Sequence, residues 1–151
     1  MSGAPKRAAG RRGGLAGELR NWAAGTRRAR AAVELALSGA RGRLVYPGAP
    51  WIERLGTDQA EKSYARIDPA KLMSEAGPLS SGERLVAKVV ANLLDDETLV
   101  PLADLSRLDP GQARLVLGAL RTAAGLEPAG PAPRAGMTPA PPGRPAPRLG
   151  I

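Results

Sequence analysis

The sequence predicts a mainly α fold: a small helical domain with a helical hairpin over about residues 79–125, an N-terminal amphipathic helix, and disordered ends. Three observations predict it. Apolar residues recur at spacings of 3 and 4 in three separate stretches, which is the period of a helix face. Helix-start signals stand at Asp68-Pro69, Ser80-x-x-Glu83 and Asp109-Pro110, the last two ahead of the second and third stretches. Both ends are rich in Gly, Pro, Ala and Arg and have no periodicity.

Four segments follow from these observations. Residues 1–13, "MSGAPKRAAGRRG", read as a disordered basic tail. Residues 14–42 read as a basic helical arm. Leu15, Leu19, Trp22, Thr26, Ala29, Val33 and Ala36 mark one face of a helix, or of two short helices broken near Gly25. Gly17 and Gly25 each cost about 1 kcal/mol relative to Ala, so this arm needs a surface to pack on.

Residues 43–127 read as a small helical core. Leu44, Val45 and Tyr46 suggest one short strand before the Pro47-Gly48 turn. "PWIERL" suggests a short helix with Pro50 near its first position, and Trp51 and Ile52 as anchors. Asp68 caps a helix of one or two turns that Gly77 stops. Ser80 and Glu83 have the spacing of a capping box. Leu85, Val86, Val89, Val90, Leu93 and Leu94 then mark a broad apolar face.

After the solvated acids Asp95 to Glu97, Pro101 opens a short helix with Leu102, Leu105 and Leu108 turned inward. Asp109 caps the last helix, whose stripe is Ala113, Val116, Leu117, Leu120 and Ala124. Gly125 supplies a left-handed stop, and Leu126 can close over it. Residues 128–151 read as an extended or disordered Pro/Gly/Ala-rich tail, and Pro139-x-x-Pro142 as linker.

Composition excludes several chemistries. The chain has neither Cys nor His. Disulfides, thiolate chemistry, the usual zinc sites and His-based triads are therefore absent. No nucleophile has an adjacent base, so no catalysis, cofactor or metal is expected. The spacing of Asp95, Asp96 and Glu97 matches no calcium loop. No apolar run reaches the roughly 18 residues that span a bilayer. Basic residues open the chain without an apolar stretch after them, so no signal peptide is read and the cytoplasm is expected.

Charge carries the functional expectation. Residues 1–45 hold ten Lys/Arg and two Glu, whereas residues 46–127 hold nine positive and twelve negative groups. The basic character thus belongs to the arm, and it points to an acidic partner such as nucleic acid. The candidate contacts are Arg7, Arg11, Arg12, Arg20, Arg27, Arg28 and Arg30. Arg114 and Arg121 join them if the last two helices form a helix-turn-helix, although Asp95, Asp96, Glu97, Asp104 and Asp109 oppose phosphate approach there. The expected function is a non-catalytic accessory protein that binds a polyanion, with affinity that falls with salt. GC-rich codon usage offers a plain alternative source of the charge, since 18 of the 22 basic residues are Arg. The alternative function is a protein–protein interaction module in which Leu15, Leu19, Trp22 and Val33 pack on another chain or self-associate. No membrane partner is expected, because the arm's apolar face is mostly Ala.

One stretch resembles a known family. "GPLSSGERLVAKVVANLLDDET", Gly77 to Thr98, is similar to the LSGGE-type signature of ABC ATPases, and "GTDQAEKS" upstream resembles a phosphate loop. The resemblance implies nucleotide binding. The residues depart from it where the chemistry is decided. Glu61 stands where the second loop glycine lets the backbone wrap a phosphate, and Ser81 stands where the signature has glycine. The family also separates signature and acidic pair by a helix and a strand, for which residues 84–95 leave no room. A capped helix accounts for every residue of the stretch.

Overall fold

The computed structural model describes residues 14–126. The tails expected to be disordered, and the basic residues Arg7, Arg11 and Arg12, lie outside the described residues. The fold is mostly helical and includes a small two-stranded sheet.

The first stripe forms two helices, α1 (Gly14–Ala23) and α2 (Arg27–Ser38). The break falls at Gly25, and Thr26 starts the second helix by accepting the Ala29 N–H at 3.1 Å. Gly39 ends α2 at a close approach. A Cβ there would lie 2.7 Å from the Leu35 carbonyl oxygen and 2.8 Å from Val86 Cγ1. Residues Ala40–Gly42 then form a 3-10 turn in which Ala40 and Arg41 have left-handed backbones, φ 49° and 54°. Ala40 tolerates this because its N–H is bound by Gln112 Oε1 at 2.9 Å and its methyl is fully buried.

The next segment corrects two expectations. Leu44 to Tyr46 form no strand, and Trp51 to Gly56 form no helix. Strand β1 (Ile52–Thr57) instead pairs antiparallel with β2 (Ser63–Ile67), with Ile52 opposite Ile67. Two interactions select this conformation. Trp51 is buried and donates its indole N–H to the Leu44 carbonyl at 2.8 Å, which holds residues 44–51 in an irregular loop. Asp58 accepts the N–H groups of Ala60 and Lys62, both at 2.9 Å, and so closes the hairpin with its own carboxylate. The stretch that resembles a phosphate loop is therefore the turn of a β-hairpin. A bulge between Arg54 and Gly56 leaves Leu55 half exposed to solvent.

The later helices start at the predicted caps. Asp68 accepts the Lys71 N–H at the head of α3 (Pro69–Glu75). Ser80 and Glu83 form the full capping box of α4 (Ser81–Leu94). Asp109 accepts the Gln112 N–H at the head of α5 (Pro110–Ala123), and Gly125 stops it with φ 75°. Between α4 and α5 runs a 3-10 turn, Leu102–Arg107. Here three burial expectations fail, and one of them is Ala124, which is exposed just past the end of α5. Leu102 is 79% exposed, because the core closes at Leu105 and Leu108. Leu117 is 58% exposed, because α5 buries the edge centred on Val116 and Ala119, and Leu117 sits about 100° away around the helix.

One hydrophobic cluster runs through the fold. It includes Leu19, Ala23, Val33 and Leu35 from α1 and α2 together with Leu85, Val86, Val90 and Val116. The helices expected to form an arm are part of this core. Burial of Leu19 and Val33, both 0% exposed, pins them there.

Candidate anion-binding groove

Helices α2 and α5 lie antiparallel against each other. Gln112 at the start of α5 holds Ala40 past the end of α2, and Gly125 at the end of α5 lies beneath the Arg27 guanidinium at the start of α2. Small residues line this seam: Ala23 at the end of α1 and Ala24 just after it, Ala31 of α2, and Gly118 and Ala119 of α5. Their short side chains leave a groove of about 670 Å³, which is within the range of ligand sites. Its lining is mostly apolar, with Arg20, Arg30 and Arg114 as its basic residues and Glu34 as its one acid among the described residues.

The three arginines differ in state. Arg20 makes a bidentate pair with Glu34, at 2.6 Å from Nε to Oε1 and 3.1 Å for the second bond. The hydrogen bond from Arg20 holds the Glu34 carboxyl below its ordinary range, against partial burial, and the same bond raises Arg20. Arg30 and Arg114 have no ion-pair or hydrogen-bond partner among the described residues. Both are exposed, so the groove presents two uncommitted guanidinium groups from different helices. A guanidinium of this kind offers paired donors to a carboxylate or phosphate.

The other candidate residues lie elsewhere. Arg27 covers Gly125. Arg28 is a capping residue of α4. It donates to the carbonyls of Leu93 (3.2 Å) and Asn92 (3.1 Å) and to Asp96 Oδ1 (2.8 Å). Arg121 is exposed on α5 and does not line the groove. The stripe proposed for a partner is spent inside the chain: Leu19 and Val33 are fully buried, and Leu15 and Trp22 are half-buried against the core. It therefore joins α1 and α2 to their own fold. The sequence reading missed Glu34, Ser38, Leu115 and Thr122, which also line the groove. Nothing local marks them, since Glu34 finds Arg20 across 14 residues.

Among the described residues, no group of three or more acidic, Cys or His side chains is placed to hold a metal ion. No described helix is long and apolar enough to cross a membrane. No family model, curated protein or solved structure matches this chain.

Two predictions arise here. Arg28→Ala is expected to destabilise the fold by about 1 kcal/mol, because two C-terminal carbonyls of α4 and the Asp96 carboxylate lose a charged donor that is half exposed. Arg30→Ala, which breaks no described bond, should change stability by less than about 0.5 kcal/mol. Urea melts of both variants check the contrast. The second concerns pH. Glu34 is lowered by Arg20, Glu53 by Lys71 and then Arg66, and Asp58 by the Tyr64 hydroxyl. Each folded-state value lies below the unfolded one. Their stabilisation is therefore complete above the ordinary carboxylate values of 3.8 to 4.5 and is lost as pH falls through the depressed folded values. A Tm series from pH 6 downward should show a falling acid limb, and Arg20→Gln should flatten it.

Proposed function

We propose that this protein is a non-catalytic accessory module that binds an acidic macromolecule, nucleic acid foremost, on the arginine-bearing face of α1, α2 and α5. One observation carries the reading: Arg30 and Arg114, from separate helices, open on the same groove with no partner among the described residues. Arg20 is committed to Glu34, so these two carry the uncommitted charge of the groove, and the basic residues Lys6, Arg7, Arg11 and Arg12 precede α1 in the sequence. Phosphates would be bound as charges, with little base preference, since Arg contacts to phosphate carry no sequence information. Five of the 14 acids fall in residues 95–109, so that part of the chain would be turned away from a polyanion.

The test is fluorescence anisotropy of labelled single- and double-stranded oligonucleotides with the full-length protein over a salt series. Log affinity should fall linearly with log salt. Arg30→Glu combined with Arg114→Glu should weaken binding at low salt by at least about tenfold. Absence of binding at low salt would end the reading. Binding that survives the double reversal but is lost on deletion of residues 1–13 would assign it to the N-terminal segment and remove the groove from it.

A further inference from the structure

The two most exposed large apolar side chains described are Leu99 and Leu102, at 80% and 79%. They stand three residues apart on the loop between α4 and α5, with Pro101 between them in an extended conformation. Acids flank them. Asp96 is held by Arg28, but the side chains of Glu97 and Asp104 have no partner among the described residues. The chain thus displays an apolar pair flanked by two uncommitted carboxylates. Elsewhere it displays a mostly apolar groove lined by two uncommitted arginines. The loop does not line that groove, so the two features are not joined within one copy.

We propose that the groove of one copy takes the Leu99–Leu102 segment of a second copy, and that the chain self-associates head to tail. The inference rests on the reading that the groove accepts an acidic partner, and it names one. Leu99 and Leu102 would enter between Ala31, Gly118 and Leu115, while Glu97 and Asp104 would meet Arg30 and Arg114. Charge selects this occupant over the chain's own ends. Residues 1–13 hold four basic groups and no acid, and residues 127–151 hold three Arg against Glu127 alone. Both ends would be repelled by the arginines of the groove. Because groove and loop are different surfaces, the contact is heterologous. The dimer as a whole keeps one free groove and one free loop, and association continues into rings or chains instead of stopping at a two-fold dimer.

The experiment is sedimentation analysis of the full-length protein over a concentration series, with two variants. Gly118→Leu fills the groove from a position where a Cβ meets nothing within 4 Å, and a circular-dichroism melt checks that the variant keeps its fold. Leu99→Ser with Leu102→Ser removes the exposed pair at positions that contribute little to the core. The wild-type protein should gain mass with concentration, and each variant alone should stay monomeric. An equal mixture of the two should form a 1:1 dimer and nothing larger, because it contains one usable groove and one usable loop. A wild-type protein that stays monomeric up to roughly 1 mM overturns the proposal, as does a variant that associates like wild type or a mixture that stays monomeric. The same samples are titrated with the labelled oligonucleotide. Oligonucleotide binding by a protein that never self-associates removes this inference and leaves the functional reading standing, whereas failure of both removes both.

Discussion

Leu19→Ala is expected to lower the unfolding free energy by about 3 kcal/mol, within the range for a fully buried leucine. Leu19 is the most buried large side chain of α1, at 0% exposure, and it holds that helix in the core shared with α2. Truncation removes several apolar carbons and leaves a void that neighbouring alanines are too small to fill. In a domain of this size the loss corresponds to a fall in Tm of at least about 10 °C. Leu15→Ala, on the same face but only partly buried, should cost roughly 1 kcal/mol. Chemical denaturation followed by circular dichroism gives both numbers. A Leu19→Ala protein as stable as wild type would mean that α1 is not part of the cooperative core, and the interaction-stripe reading would return.

Trp51→Ala should cost more, about 3–5 kcal/mol. Trp51 is 4% exposed, meets Tyr46 edge-on at 5.7 Å between ring centroids, and ties Leu44 to the start of the sheet. Trp51→Phe separates the two contributions. It keeps an aromatic ring in place but strands the Leu44 carbonyl without its donor, at a cost of about 1–3 kcal/mol. The expected order of stability is wild type, then Phe, then Ala. If Trp51→Phe is no less stable than wild type, the indole hydrogen bond does not hold residues 44–51, and the account of why this segment avoids a helix fails. Loss of this anchor should leave the groove nearly intact until the whole fold melts, because no residue of 44–67 lines it. The measurement is therefore one of stability and should precede any binding comparison.

The residues that were legible from sequence are those whose partners lie within one helical turn. Ser80 finds Glu83, Asp109 finds Gln112 and Asp68 finds Lys71, so the starts of α3, α4 and α5 could be placed before any fold was known. Gly25 marked a possible break but left one helix or two open, and the Thr26 cap on the Ala29 N–H decides for two. The sheet was not legible. Its turn contains no glycine of the usual hairpin type and is closed by Asp58, and the pairing of Ile52 with Ile67 joins residues far apart in the chain. The 3-4 stripe of α1 and α2 was read correctly as apolar, but periodicity alone cannot say whether the surface it covers belongs to the same chain or another.

The same division applies to the candidate site. The amino-acid sequence alone determined that the chain carries excess arginine near its start, that it has no Cys or His, and that its later helices begin at named caps. These are properties of composition and of neighbours within a few residues. The tertiary structure alone decided which arginines are structural and which are uncommitted. Arg28 is consumed at the end of α4 and Arg20 by Glu34, while Arg30 and Arg114 share a groove because α5 lies antiparallel along α2. A guanidinium has the same charge everywhere. Its role depends on which acceptors come within about 3 Å, and across tens of residues only packing sets that distance.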